Sequence, residues 1–107
     1  MKPLKFRPHL VKEILEGRKT TTWRLFDDKD LKVGDELEFF NAETLEKFAE
    51  AEITEIREKK LGETEDSDYE GQKRYNNHEE MLKHYRNIYG DKVDSDTIVK
   101  IIRFKIL

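Results

Sequence analysis

The apolar positions of this chain change period several times along its 107 residues, and each change marks an element. Leu4-Lys5-Phe6 alternates as a short strand does. Pro8 then stands where a helix can begin, because the first turn has no use for the amide hydrogen that proline lacks. Leu10, Val11, Ile14 and Leu15 share one helical face, and Gly17 is placed to end that helix in a left-handed cap. From Thr20 to Leu25 the threonines and the tryptophan favour extended backbone, with Thr22 and Arg24 on one side and Trp23 and Leu25 on the other. Lys19 stands at the mouth of that strand.

Val33-Gly34-Asp35 reads as a turn into a half-buried strand, Glu36 to Phe40, in which Leu37 and Phe39 alternate with acids. Phe48 to Glu58 is a longer alternating stretch whose Ala49, Ala51 and Ile53 share a side, until Ile56 falls out of phase and implies a bulge. Leu61 to Tyr75 is a loop with five acids between Glu63 and Glu70, read as a solvated segment. Asn77 and Glu80 have the spacing of a helix N-cap and its reciprocal partner, and Met81, Leu82, Tyr85, Ile88 and Tyr89 form an apolar stripe closed by Gly90. Thr97 to Leu107 is the clearest strand, with Ile98, Ile102, Phe104 and Ile106 on one face and Val99 and Ile101 opposite. A strand, a helix, then further strands with a loop and helix before the last predict an α+β fold. A small mixed β-barrel of about five to six strands with two covering helices suits this order better than a doubly wound sheet.

Composition narrows the classes. No Pro-, Gly- or Ser-rich stretch divides residues 1–107, so one domain is expected. The chain has no cysteine, which removes disulfides, thiolate metal sites and cysteine nucleophiles. His78 and His84, six apart, do not share a helical face, and the acids of the loop lack the glycine and terminal glutamate of a calcium loop. No metal and no cofactor are expected. No apolar run is long enough for a membrane span or a secretory leader, so a cytoplasmic protein is expected; the sequence does not fix its oligomeric state, with a monomer favoured. The mixture of 42% charged residues with absent cysteine is the composition that ion-pair networks at high growth temperature favour.

Net charge is −3, yet residues 1–24 hold seven Lys or Arg against two Glu. That front-loaded charge is either a cationic patch for phosphate or another anion, or a cluster of solvated side chains. Within it, Gly17 to Arg24 places a Lys, a Thr and an Arg where a helix gives way to a strand. Their side chains either converge on one pocket mouth or make a basic turn before an ordinary edge strand.

The run Ile14-Leu15-Glu16-Gly17-Arg18-Lys19-Thr20-Thr21-Thr22-Trp23-Arg24-Leu25 resembles the G-x-K-x-x-T-x-R signature of ASCH domains, which follows an amphipathic helix. Lys32 to Leu37, Ala51 to Ile56, Tyr69-Glu70-Gly71 and Val99 to Phe104 resemble later segments of the same family. The resemblance implies a PUA-like barrel, a fold associated with RNA binding, and a cleft lined by the Gly17 to Arg24 segment, including Gly17, Arg18, Lys19, Thr22 and Arg24; in a binding site an aromatic such as Trp23, Tyr69 or Tyr75 would supply a stacking face. One branch of that superfamily hydrolyses N4-acetylcytidine without a metal, using a Lys, a Thr and a later Glu. By position these are Lys19, Thr22 and Glu70, with Glu65 or Glu63 as alternatives to the last. Two functions follow as expectations: a module that binds RNA, a nucleotide or a nucleoside, or an amidohydrolase acting on a modified nucleoside. Trp23 is expected in the core, because it shares its strand face with Leu25.

Overall fold

The computed structural model describes residues 1–72 and 74–107; Lys73, inside the expected loop, lies outside them. Strands β1 (Lys2–Phe6), β2 (Thr21–Leu25), β3 (Glu36–Asn41), β4 (Lys47–Lys60) and β5 (Ile98–Ile106) form one sheet in the order β1-β3-β4-β5-β2. Only the β1/β3 pair is parallel. Helix α1 (Pro8–Leu15) follows β1, and α2 (His78–Tyr89) precedes β5. The architecture is a five-stranded mixed half-barrel with two helices, the small α+β fold expected.

Alternation along the strands feeds two cores. Leu4 and Phe6 of β1, Leu37 and Phe39 of β3, Ile53 of β4, and Ile102 and Phe104 of β5 pack with Ile14 of α1. Val99 and Ile101, on the other parity of β5, pack with Trp23 and Leu25 of β2 and with Met81, Leu82 and Tyr85 of α2. The bulge signalled by Ile56 is present: Ile53 pairs with Phe104 and Glu55 with Arg103, so Thr54 is the extra residue. It shifts the phase by one position, and Ile56 thereby packs with the same core as Ile53. A second irregularity between Phe39 and Phe40 of β3 leaves Phe48 unpaired and against the Phe6 and Phe39 rings.

Three expectations are corrected. Leu15, placed on the buried face of α1, is 58% exposed, because Ile14 fills that position at the end of an eight-residue helix. Asn77 does cap α2, accepting from the Glu80 amide at 2.8 Å, but the Glu80 carboxylate accepts from the Asn76 side chain instead of returning to the cap. The acidic loop is not wholly solvated. It folds into two short 3-10 turns, Leu61–Glu63 and Asp66–Tyr69, and Asp68 is buried. Its Oδ2 accepts from Lys59 Nζ and the Glu65 amide, both at 2.8 Å, and its Oδ1 lies 2.5 Å from Arg57 Nη1. Burial opposes the charge on Asp68, but those hydrogen bonds and the two cations hold its carboxyl below the usual range.

Candidate functional site

The edge strands β1 and β2 do not pair with each other, and a cavity of about 650 Å³ opens beside that seam. Its wall combines Lys5, Phe6 and Arg7 from the β1 end, Leu10 and Glu13 of α1, Arg18 and Lys19, Thr22 to Arg24 of β2, Gly71 and Gln72, and the Tyr85 to Tyr89 face of α2. Lys19, Thr22 and Arg24 therefore share one hollow. The volume lies in the range of small-molecule sites.

Lys19 reaches the cavity because α1 ends in a left-handed turn at Gly17, whose φ is +78°. Only 8% exposed, it donates from Nζ to the Thr21 carbonyl at 2.8 Å and to Gln72 Oε1 at 2.6 Å. Gln72 Nε2 in turn donates to the Tyr85 hydroxyl at 3.3 Å. Burial, followed by the Arg24 guanidinium, lowers the Lys19 pKa to about 8, against a smaller opposing pull from Glu13. The two acceptors occupy two of the three ammonium protons.

Arg24 spans the seam. Its Nη2 donates to the Lys5 carbonyl at 3.1 Å and its guanidinium carbon sits 4.8 Å from the Phe6 ring centre. Nε is buried without a hydrogen-bond partner. Burial lowers the Arg24 pKa, offset in part by Tyr89, Asp27 and Tyr85. Thr22 is 4% exposed on the same wall.

Gly71 fastens the loop to this site. Its carbonyl accepts from the amides of Thr20 at 3.1 Å and Thr21 at 3.2 Å. Its φ is +73°, and a Cβ there would lie 2.0 Å from Thr20 Oγ1. A side chain is excluded on both counts, and Gln72 is delivered to Lys19 as a result.

Other expected site residues lie elsewhere. Glu70 turns its side chain outward, 72% exposed and 3.5 Å from Arg103, and does not line the cavity. Glu63 is exposed. Tyr69 packs its ring 4.9 Å from Trp23 and lines a separate hollow of about 220 Å³ together with Glu65, Asp66 and Arg74. Gly17 positions the segment and is not on the cavity wall. Trp23 is 4% exposed and stacks near-parallel on Tyr85 with centroids 6.1 Å apart, so it is a core residue whose edge reaches the cavity. The sequence reading did not single out Gln72, and it took Tyr85 and Tyr89 only as core. Their helical spacing, four apart, was the available signal for the tyrosines; Gln72 had none.

No family model and no curated protein matches the chain. Solved structures do. A protein of Enterococcus faecalis assigned to the DUF984 family model superposes with a TM-score of 0.76 at 16% identity, over 92% of this chain and 70% of its own. The ASCH domain from Lactobacillus crispatus gives a TM-score of 0.70 at 15% identity, over 90% and 69%. The fold is ASCH-like. A protein of Pyrococcus furiosus, determined by solution NMR, shares this ASCH-like fold with a TM-score of 0.65 at 21% identity, over 99% and 96%. At these identities the likeness is one of fold, and the reading of the site rests on its own residues. Among the described residues, no helix is long and apolar enough to cross a membrane, and no group of three His, Asp or Glu could hold a metal ion.

Proposed function

We propose that this chain binds RNA, or a single nucleotide or nucleoside, in the cavity at the β1/β2 seam. The observation that carries this reading is the opening of Lys19, Thr22 and Arg24 onto one hollow of about 650 Å³ whose far side is aromatic. The cations supply donors for phosphate or a base edge, and the half-buried Tyr75 and Tyr89 supply aromatic surface on the same wall. Among the described residues the wall carries five Lys or Arg and a single carboxylate, Glu13, although the whole chain is acidic at −3. Titration with nucleotides and short RNAs at several salt concentrations tests the reading, followed through Trp23 fluorescence. Binding that weakens with salt and drops at least tenfold in Arg24→Ala is expected. Equal affinity in Arg24→Ala removes the cavity from recognition.

A second reading is an amidohydrolase acting on N4-acetylcytidine or a related nucleoside, and the lowered pKa of Lys19, about 8, favours it. A neutral Lys19 could take the proton of Thr22 or of a water as it attacks the acyl carbon. The leaving amine also needs a proton donor, and the group beside Lys19 is the amide of Gln72, which orients but does not titrate. Glu70 would have to leave Arg103 to serve. Release of cytidine from N4-acetylcytidine that disappears in Lys19→Ala supports catalysis; turnover equal to the buffer blank leaves the binding reading alone.

A further inference from the structure

Cations are matched to carboxylates along β4 and β5: Arg57 and Lys59 with Asp68, Lys100 with Asp27, Arg103 with Glu55 and Lys105 with Glu52. Deeper in the cavity the matching stops. Arg18 at the rim pairs with Glu16 and Glu13, 3.2 and 3.7 Å away. The two most deeply placed cations, Lys19 and Arg24, contact only uncharged groups: the Thr21 carbonyl, the Gln72 amide, the Lys5 carbonyl and the Phe6 ring. Glu13 and Asp27 act on them only at longer range. Among the described residues of a chain with 24 acids, these two desolvated cations have no carboxylate within 4 Å, and buried charge is costly unless it is paired. Arg24 Nε is in addition buried without a hydrogen-bond partner.

We infer that the cavity selects a nucleoside bearing a terminal phosphate monoester, whose dianion lies between Lys19 and Arg24 with the base toward Tyr75 and Tyr89. This rests on the binding reading above and narrows it to one ligand chemistry. A phosphate monoester carries a charge of about −1.5 to −2 at neutral pH and three terminal oxygens that accept hydrogen bonds. An internal phosphodiester brings one charge and leaves one cation unmatched. A nucleoside without phosphate brings none. The same terminal group exists on a free mononucleotide and on the phosphorylated end of an RNA strand, and the cavity reads it in either.

Calorimetric titration of the wild-type protein at pH 7 tests this with matched pairs. One pair is each common nucleoside against its 5′-monophosphate; the other is a five-nucleotide RNA with a 5′-phosphate against the same strand with a 5′-hydroxyl. The phosphorylated member of at least one pair is expected to bind tenfold or more tightly, and the pair that shows the preference identifies the source. Lys19→Met, checked for folding by circular dichroism, is expected to lose most of that preference. If both members of each pair bind alike, the phosphate inference is overturned while the nucleoside and RNA reading stands. If no member of either pair binds, both fall.

Discussion

Lys19 gives the stability of this protein a pH dependence that can be worked out. The amine titrates near 10.5 when unfolded and at about 8 when folded, because burial and Arg24 disfavour its charged form. Between those values the unfolded chain holds more protons than the folded one, so stability rises with pH. The full shift corresponds to roughly 3 kcal/mol, of which about 2 kcal/mol is recovered between pH 7 and pH 9.5. Burial raises Tyr75 to about 12 and Tyr85 well above its ordinary value, so both stay neutral through pH 9.5. The perturbation is Lys19→Met, which keeps the length of the side chain and removes the titrating group. Urea unfolding of both proteins at pH 7 and 9.5 gives the difference, and groups common to both cancel. Wild type is expected to gain about 2 kcal/mol more than the variant over this interval, equivalent to a Tm difference of roughly 8 °C. The variant also loses two hydrogen bonds, which lowers its stability at both pH values. Parallel pH profiles in the two proteins would refute the account of Lys19 as a buried, unmatched cation.

Two further substitutions probe what holds the site together. Asp68→Asn leaves Arg57 and Lys59 without their shared carboxylate; because those side chains are 31% and 26% exposed and can turn to water, a loss of about 2 kcal/mol is expected. The Asp68 carboxyl is held below its ordinary value, so its contribution is present above about pH 4 and lost as pH falls through the folded value. Acid unfolding of the variant should lack that component, and an unchanged acid limb would remove Asp68 as its source. Gly71→Ala combines a left-handed φ with a Cβ only 2.0 Å from Thr20 Oγ1, whereas Gly34→Ala has a φ of +91° and nothing within 4 Å. Thermal melts should show Gly71→Ala as the costlier by at least about 1 kcal/mol, with ligand affinity falling in that variant alone. Equal melting of the two would mean that the clip between residues 71 and 20 does not hold the loop.

Much of this architecture was legible in the sequence because periodicity and burial agree where an element packs on one side. Leu37 and Phe39 alternate with acids and are wholly buried, and the out-of-phase Ile56 located the bulge at Thr54 to within two residues. The Gly17 to Arg24 segment was legible because a helix stop and a strand start lie so close that the three polar side chains have one direction to share. What stayed hidden depends on partners distant in sequence. Asp68 looks like its four acidic neighbours until β4 brings Arg57 and Lys59 to it. Gln72 is an ordinary loop residue until the Gly71 carbonyl ties it to Thr20 and Thr21, 53 residues from Lys19 at the moment they meet. The glutamate expected beside Lys19 was sought among residues with the right chemistry; the fold chose by position, and an amide stands there.

The placement of the cavity follows from the sheet itself. Five strands with β1 and β2 at the edges leave a seam, and unpaired edge strands must be paired, covered or charged. An apolar side chain at position 24 would cover the seam more cheaply, because it carries no charge out of water. Arginine instead reaches from β2 to the Lys5 carbonyl and lies on Phe6, at the cost of a desolvated guanidinium. Lys19 adds a second such charge a few residues away. Two charges placed where neutral groups would stabilise the fold better are a local conflict between sequence and stability, and such conflicts concentrate at functional sites. The same two side chains that carry charge out of water at the seam are the ones that face its cavity.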